Sequence, residues 1–154
     1  MEWHEFVLRL STALLLGCAI GAERQWRQRM AGLRTNTLVA VGAALFVMLG
    51  MMIQPEASPT RIAAQVVSGI GFLGAGVILR EGLSISGLNT AATLWCAASI
   101  GTLCGAGFVA QAAVGAVAVL AANLCLRPVA RKMYRWQAES HDAEVLSAVC
   151  RADR

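Results

Sequence analysis

Asn89, Thr93 and Cys96 stand at i, i+4 and i+7, the spacing that stacks side chains along one side of an α-helix. An amide, a hydroxyl and a thiol so arranged can form hydrogen bonds between helices of one chain, or can contact a helix of a partner. A second set of residues is charged. Glu23 and Arg24 close one apolar stretch, and Arg34-Thr35-Asn36 opens the next. A guanidinium beside good N-cap residues would attract an anion through free N–H groups and the helix dipole. The same arginines serve equally to anchor a loop at a membrane face. A third set is small. Ala64, Ser68, Gly71 and Ala75 share one helix face, and Gly107, Gln111, Gly115 and Asn123 align on another, so that a second backbone can approach each closely.

Other chemistry is excluded by residue type and position. Intramembrane proteolysis needs a serine with a buried base or a pair of aspartates, yet the histidines, His4 and His141, and the aspartates, Asp142 and Asp153, lie outside the apolar blocks. A zinc site fails because Cys18, Cys96, Cys104, Cys125 and Cys150 are dispersed and form no CxxC. The glycine-rich run Ser68 to Gly76 lacks the Gly-Lys-Ser/Thr ending of a phosphate loop. Glu5, Glu23, Glu56 and Glu81 flank the apolar blocks, which weakens a dedicated magnesium path without excluding one led by amides and carbonyls. The expectation is a protein that is not an enzyme, with no cofactor, no metal and no disulfide framework.

The elements that must position these residues are membrane helices. Of 154 residues 57% are hydrophobic and 14% charged, against roughly 45 to 50% and about 25% in a soluble domain. Five apolar blocks approach the 17 to 25 residues that a bilayer of about 30 Å requires: Phe6 to Ala22, Thr37 to Ile53, Ile62 to Leu79, Leu88 to Cys104 and Ala106 to Leu126. The fourth carries Asn89, Thr90, Thr93, Ser99 and Thr102 and must face other helices. Gly105 and Gly107 leave room only for a tight hairpin between the fourth and fifth. Arg9, one turn inside the first block, has Glu5 at i−4, so pairing and snorkelling relieve its charge.

Basic residues fix the orientation. Arg24, Arg27, Arg29, Arg34, Arg80, Arg127, Arg131, Lys132 and Arg135 fall on one side of the five blocks and Arg61 on the other, nine against one. The positive-inside rule then predicts an all-α, five-span protein with its N-terminus outside and its C-terminus in the cytoplasm. Glu2 and Glu5 precede the first block where a signal peptide would be basic, so an uncleaved first helix is predicted. Trp3 would mark the outer interface, and Trp26, Tyr134 and Trp136 the inner one. A membrane domain over 1–136 and a cytoplasmic tail over 137–154 are expected. Loop anchoring, not a nucleic-acid surface, accounts for the formal charge of +4.

Several strings resemble the MgtC/SapB family in sequence and order. They are Glu23-Arg-Gln-Trp-Arg-Gln-Arg, Ala31-Gly-Leu-Arg-Thr35, the run Arg61 to Ile78 with its Ser-Gly-Ile-Gly-Phe-Leu-Gly-Ala-Gly core, and Gly87-Leu-Asn-Thr-Ala-Ala-Thr-Leu-Trp-Cys96. The resemblance covers about Leu8 to Leu126. It implies a five-span bacterial inner-membrane protein that supports growth in low magnesium and survival inside macrophages. It further implies a regulator that restrains the F-type ATP synthase and engages other membrane proteins, with the family's implicated asparagine and cysteine at Asn89 and Cys96. Members often carry a small ACT-like cytoplasmic domain. Ala143 to Cys150 resembles its first strand, and one strand cannot bury a core.

Three functional expectations follow. The first is a regulator that binds partners in the bilayer through Asn89, Thr93 and Cys96, in contact with membrane lipid and assembled as a homo-oligomer. The second is a small oligomeric channel or transporter lined by the third to fifth spans, with Asn89 and Gln111 in the path. The third is an anion or lipid sensor built from Arg24, Arg34 and Asn36.

Overall fold

The structure, a computed structural model, describes residues 1–53, 59–81, 84–126 and 128. Five helices follow one another: α1 Trp3–Trp26, α2 Leu33–Ile53, α3 Pro59–Gly76, α4 Leu88–Gly105 and α5 Val109–Leu126. A short antiparallel pair, β1 Leu79–Glu81 and β2 Ser84–Ser86, joins α3 to α4 with Arg80 opposite Ile85. The chain divides into two compact units, Met1–Val119 and Leu120–Arg154. All packing described below lies in the first. Of the second, Leu120 to Leu126 are helical.

The helices exceed or match the apolar blocks at most ends, because helical backbone continues past the hydrocarbon limit into polar residues such as Glu23 and Arg24. The fifth block starts later than expected, at Val109 and not Ala106, because the turn takes the intervening residues, and the third block ends earlier. It is expected to run to Leu79, but α3 stops at Gly76, where the N–H groups of Val77 and Ile78 donate to the Gly74 and Ala75 carbonyls in a tightened last turn. β-Branched Val77 and Ile78 then lead into β1. The strand pair is an addition to the expected all-α fold. Gly87, at φ 90°, turns the chain into α4, and a Cβ there would collide with the Val77 carbonyl.

Length and apolar composition qualify α1, α2 and α5 to cross a membrane. Their outward surfaces are apolar: Leu15, Leu38, Phe46 and Val114 are all more than 60% exposed. A soluble fold does not leave so much large apolar surface uncovered.

The interior of the first unit is built from small residues. Ala13, Ala40, Ala43, Ala44, Ala97 and Ala98 are buried, with Ile20, Val47, Met48 and Leu94 filling the remaining space. Gly17 and Gly21 of α1 lie against α2, where added Cβ atoms would come within 2.9 Å of the Ala40 side chain and 2.7 Å of the Leu33 backbone. Gly101 and Gly105 of α4 lie against the other side of α2, a Cβ at Gly101 colliding with the Ala40 carbonyl and one at Gly105 reaching 2.6 Å from that of Ala44. Without a hydrophobic drive between helices in lipid, such backbone approach supplies the van der Waals contact that holds them. Both pairs are G-x-x-x-G strings, so α2 is gripped on two sides by the same device.

The turn between α4 and α5 is the predicted tight hairpin. Gly107, at φ 91°, and Phe108 donate N–H bonds back to Cys104 and Leu103. Arg9 reaches it from α1, donating to the Gly105 carbonyl at 3.1 Å while Glu5 stands 3.8 Å away. The arginine therefore ties two helix ends together, besides pairing along its own helix. The expected tail, with Tyr134, Trp136, the basic residues from Arg127 to Arg135 and the strand over 143–150, lies outside the described residues.

Candidate partner-binding site

The first turns of α4 carry two polar faces with different fates. Thr90, Thr93, Leu94 and Ala97 point into the bundle, while Asn89, Ala92, Trp95 and Ser99 are exposed and Cys96 is half-buried. Asn89 and Cys96 thus border one uncovered strip. Thr93 does not join them as expected. It is 4% exposed and its hydroxyl donates to the Asn89 carbonyl at 2.8 Å. The i, i+4 spacing puts Thr93 beside Asn89 along the helix, but 3.6 residues per turn rotates it to the boundary that the bundle covers.

The strip mixes one broad ring with amide, hydroxyl and thiol groups. Trp95 is 51% exposed at its centre. In hydrocarbon, an amide or hydroxyl with no partner is costly, so a helix showing such groups outward gains by packing them against another helix. Aromatic residues supply large contact area at low entropic cost. Trp95 was absent from the sequence-derived set because its spacing turns it roughly 120° from Asn89 round the helix; its exposure alone shows that the uncovered strip is wide enough to include it.

On the covered face, Thr90 accepts a hydrogen bond from Arg24 Nη2 at 2.7 Å. Arg24 is 2% exposed and its Nε has no hydrogen-bond partner among the described residues. Glu23 pairs with Arg27 at 2.5 Å, and its other carboxylate oxygen is buried with no hydrogen-bond partner among the described residues. Asn36 is fully buried and donates to the Ala31 and Gly32 carbonyls at 3.0 and 2.9 Å, its own side-chain oxygen having no partner among the described residues. α2 starts at Leu33, which makes Asn36 a first-turn residue that closes the preceding loop, not an N-cap. The predicted inner-face cluster is therefore divided. Glu23, Arg24 and Asn36 lie at buried or partly buried positions, whereas Arg34 and Thr35 are exposed along a groove between α2 and α3. Thr90, which sequence spacing did not connect to Arg24, is the hydroxyl that the buried guanidinium required.

The small-residue faces also have definite places. Ala64, Ser68, Gly71 and Ala75 are all exposed on α3, and a Cβ at Gly71 would meet nothing within 4 Å. On α5, Gln111 is exposed and Gly115 lies 3.8 Å from Ile100 of α4 by the same measure, while Gly107 occupies the turn beside Arg9. Among the described residues no group of three histidine, cysteine or acidic side chains converges as a metal site. Cys18, Cys96, Cys104 and Cys125 are free thiols.

Helices packed through glycine lanes, apolar outer surfaces and a buried arginine satisfied across helices define a membrane protein. The chain belongs to the MgtC family, whose sequence model matches residues 10–132. It is 55% identical over 152 residues to the protein MgtC of Salmonella typhimurium, covering 97% of this chain and 65% of that protein. It is 62% identical over 120 residues to MgtC of Brucella abortus, covering 78% of this chain and 50% of that protein. An uncharacterised protein of Synechocystis is 56% identical over 158 residues, 99% of this chain and 67% of the relative. The chain thus spans about half to two-thirds of the length of these relatives. No solved structure matches it.

Proposed function

We propose that this chain is the membrane part of a non-enzymatic regulator that acts by binding other proteins within the bacterial inner membrane. It crosses the bilayer five times, with its N-terminus outside and its arginine-rich loop in the cytoplasm. The exposed strip of α4 is the contact: Trp95 fills a partner's surface, and Asn89 and Ser99 exchange hydrogen bonds with it. The single observation that carries this reading is the uncovered face of α4 on which Trp95, 51% exposed, stands with the amide of Asn89 and the hydroxyl of Ser99. Kinship with MgtC proteins supports growth in low magnesium and intracellular survival as the setting, and the F-type ATP synthase as a partner to test first.

Asn89→Leu and Cys96→Ala proteins, expressed in the native membrane and captured after crosslinking, provide the test. Loss of partner co-purification with unchanged membrane insertion is the expected result. Undiminished co-purification would remove the strip from consideration. Selective magnesium flux in vesicles, abolished by Asn89→Leu, would replace the regulator with a transporter.

A further inference from the structure

A groove of about 980 Å³ separates α2 from α3, floored by Ala98 of α4. Its walls are the apolar stripes Leu38, Phe46 and Leu49 on one side and Val66, Ile70 and Leu73 on the other. It begins at Arg34 and Thr35, extends to Ile53, and is pinched at Gly50, where a Cβ would collide with Ile62 Cδ1. Between these ends Gly42 and Gly69 line it with no atom within 4 Å of an added Cβ. The groove is therefore open at the arginine end and closes towards the other.

We infer that this groove binds the acyl chains of an anionic phospholipid whose phosphate is held by Arg34. Three observations fix the occupant. Arg34 to Ile53 spans 19 helical steps, about 28 Å at about 1.5 Å each, close to the full hydrocarbon thickness of about 30 Å, so the occupant resides in the membrane. Spread over that length, 980 Å³ leaves a mean cross-section of about 35 Å². Hydrocarbon chains that touch at about 4 Å need roughly 16–20 Å² each, so two chains match that section.

The third observation is charge. Arg34 is exposed, lines the open end, and has no acidic partner among the described residues. Its planar donor fork matches a phosphate, and the Thr35 hydroxyl lies next to it on the groove wall. Because α2 is apolar and long enough to span, this end lies at the bilayer surface, where lipid phosphates are. The inference rests on α2 and α3 both spanning the membrane as proposed above, but not on the α4 strip.

The purified chain, with phosphatidylglycerol or phosphatidylcholine of identical acyl chains added, tests this by native mass spectrometry. Both headgroups carry a phosphate, but in phosphatidylcholine the tethered quaternary ammonium neutralises it, so wild-type protein retains the anionic lipid about tenfold better. Arg34→Gln brings the two lipids level. Gly42→Leu with Gly69→Leu, both pointing into open space, loses both lipids while circular dichroism shows the helices intact. Equal retention by the wild type, or a preference that survives Arg34→Gln, overturns the proposal. So does a dimer that the double leucine variant disperses, since a second copy would then fill the groove. Partner capture through Asn89 is measured on the same variants and stays unchanged if only the lipid reading fails.

Discussion

Arg24 occupies a position from which water is excluded, so its stability contribution depends on the hydroxyl it meets. Thr90 Oγ1 accepts at 2.7 Å, and a donor to a neutral acceptor of this kind contributes about 1.5–3 kcal/mol when one member is charged. Thr90→Val keeps the shape of the side chain and removes the acceptor. It should lower resistance to unfolding in mixed micelles by about that amount, whereas Thr90→Ser should change little. Arg24→Met in the Thr90→Val background should recover part of the loss, because no unpaired guanidinium then remains inside. A Thr90→Val protein as stable as the wild type would mean that solvent reaches Arg24. An arginine at the end of an apolar block announces in the sequence that it needs a partner. It does not announce which one, since Thr90 is 66 residues away and the pairing exists only once α1 and α4 cross.

Between elements, the decisive residues are glycines that meet backbone. Gly101→Val should destabilise the bundle by about 1–3 kcal/mol through overpacking against Ala40, while Gly71→Val, facing open space, should be tolerated. Thermal unfolding in detergent compares them directly, and equal losses would deny the lane its role. Arg9 gives a second contrast. Its ion pair with half-exposed Glu5 at 3.8 Å is worth roughly 0–1 kcal/mol. Its bond to the Gly105 carbonyl joins α1 to the α4–α5 turn. Arg9→Met should therefore cost more than Glu5→Gln, by about 1 kcal/mol. The helices were legible from block length and hydropathy, and the hairpin from Gly105 and Gly107. The G-x-x-x-G strings at Gly17 and Gly101 are equally visible in the sequence, whereas the longer small-residue stripe of α3 lies exposed in the structure. Small residues tell where a backbone can approach, and only the three-dimensional arrangement tells which helix arrives. The strip on α4 was readable at Asn89 and Cys96 from periodicity. Thr93 was not separable from them, because a rotation of about 40° from Asn89 decides whether a side chain is covered by the bundle.

At the scale of the molecule, the contacts sort the helix ends into two groups. Arg9 touches the α4–α5 turn and Gly50 of α2 meets Ile62 of α3, whereas Arg24 meets Thr90, Gly21 lies on Leu33, and Gly74 stands 3.7 Å from Ala91 by its added Cβ. Each helix from α1 to α4 therefore runs from one group to the other, the alternation that the proposed crossings require. Arg24, Arg27, Arg29 and Arg34 belong with the second group, which on the proposed orientation faces the cytoplasm. Exposed Met30 should sit in the cytoplasm and exposed Phe108, in the α4–α5 turn, outside. In a variant whose own cysteines are replaced, Phe108→Cys should react with a membrane-impermeant maleimide on intact cells, and Met30→Cys only after permeabilisation. Reversed labelling would invert the protein and move Arg34, with any lipid it holds, to the outer leaflet. Labelling of both residues from one side would break the alternation itself, and with it the assignment of α3 and α4 as spans.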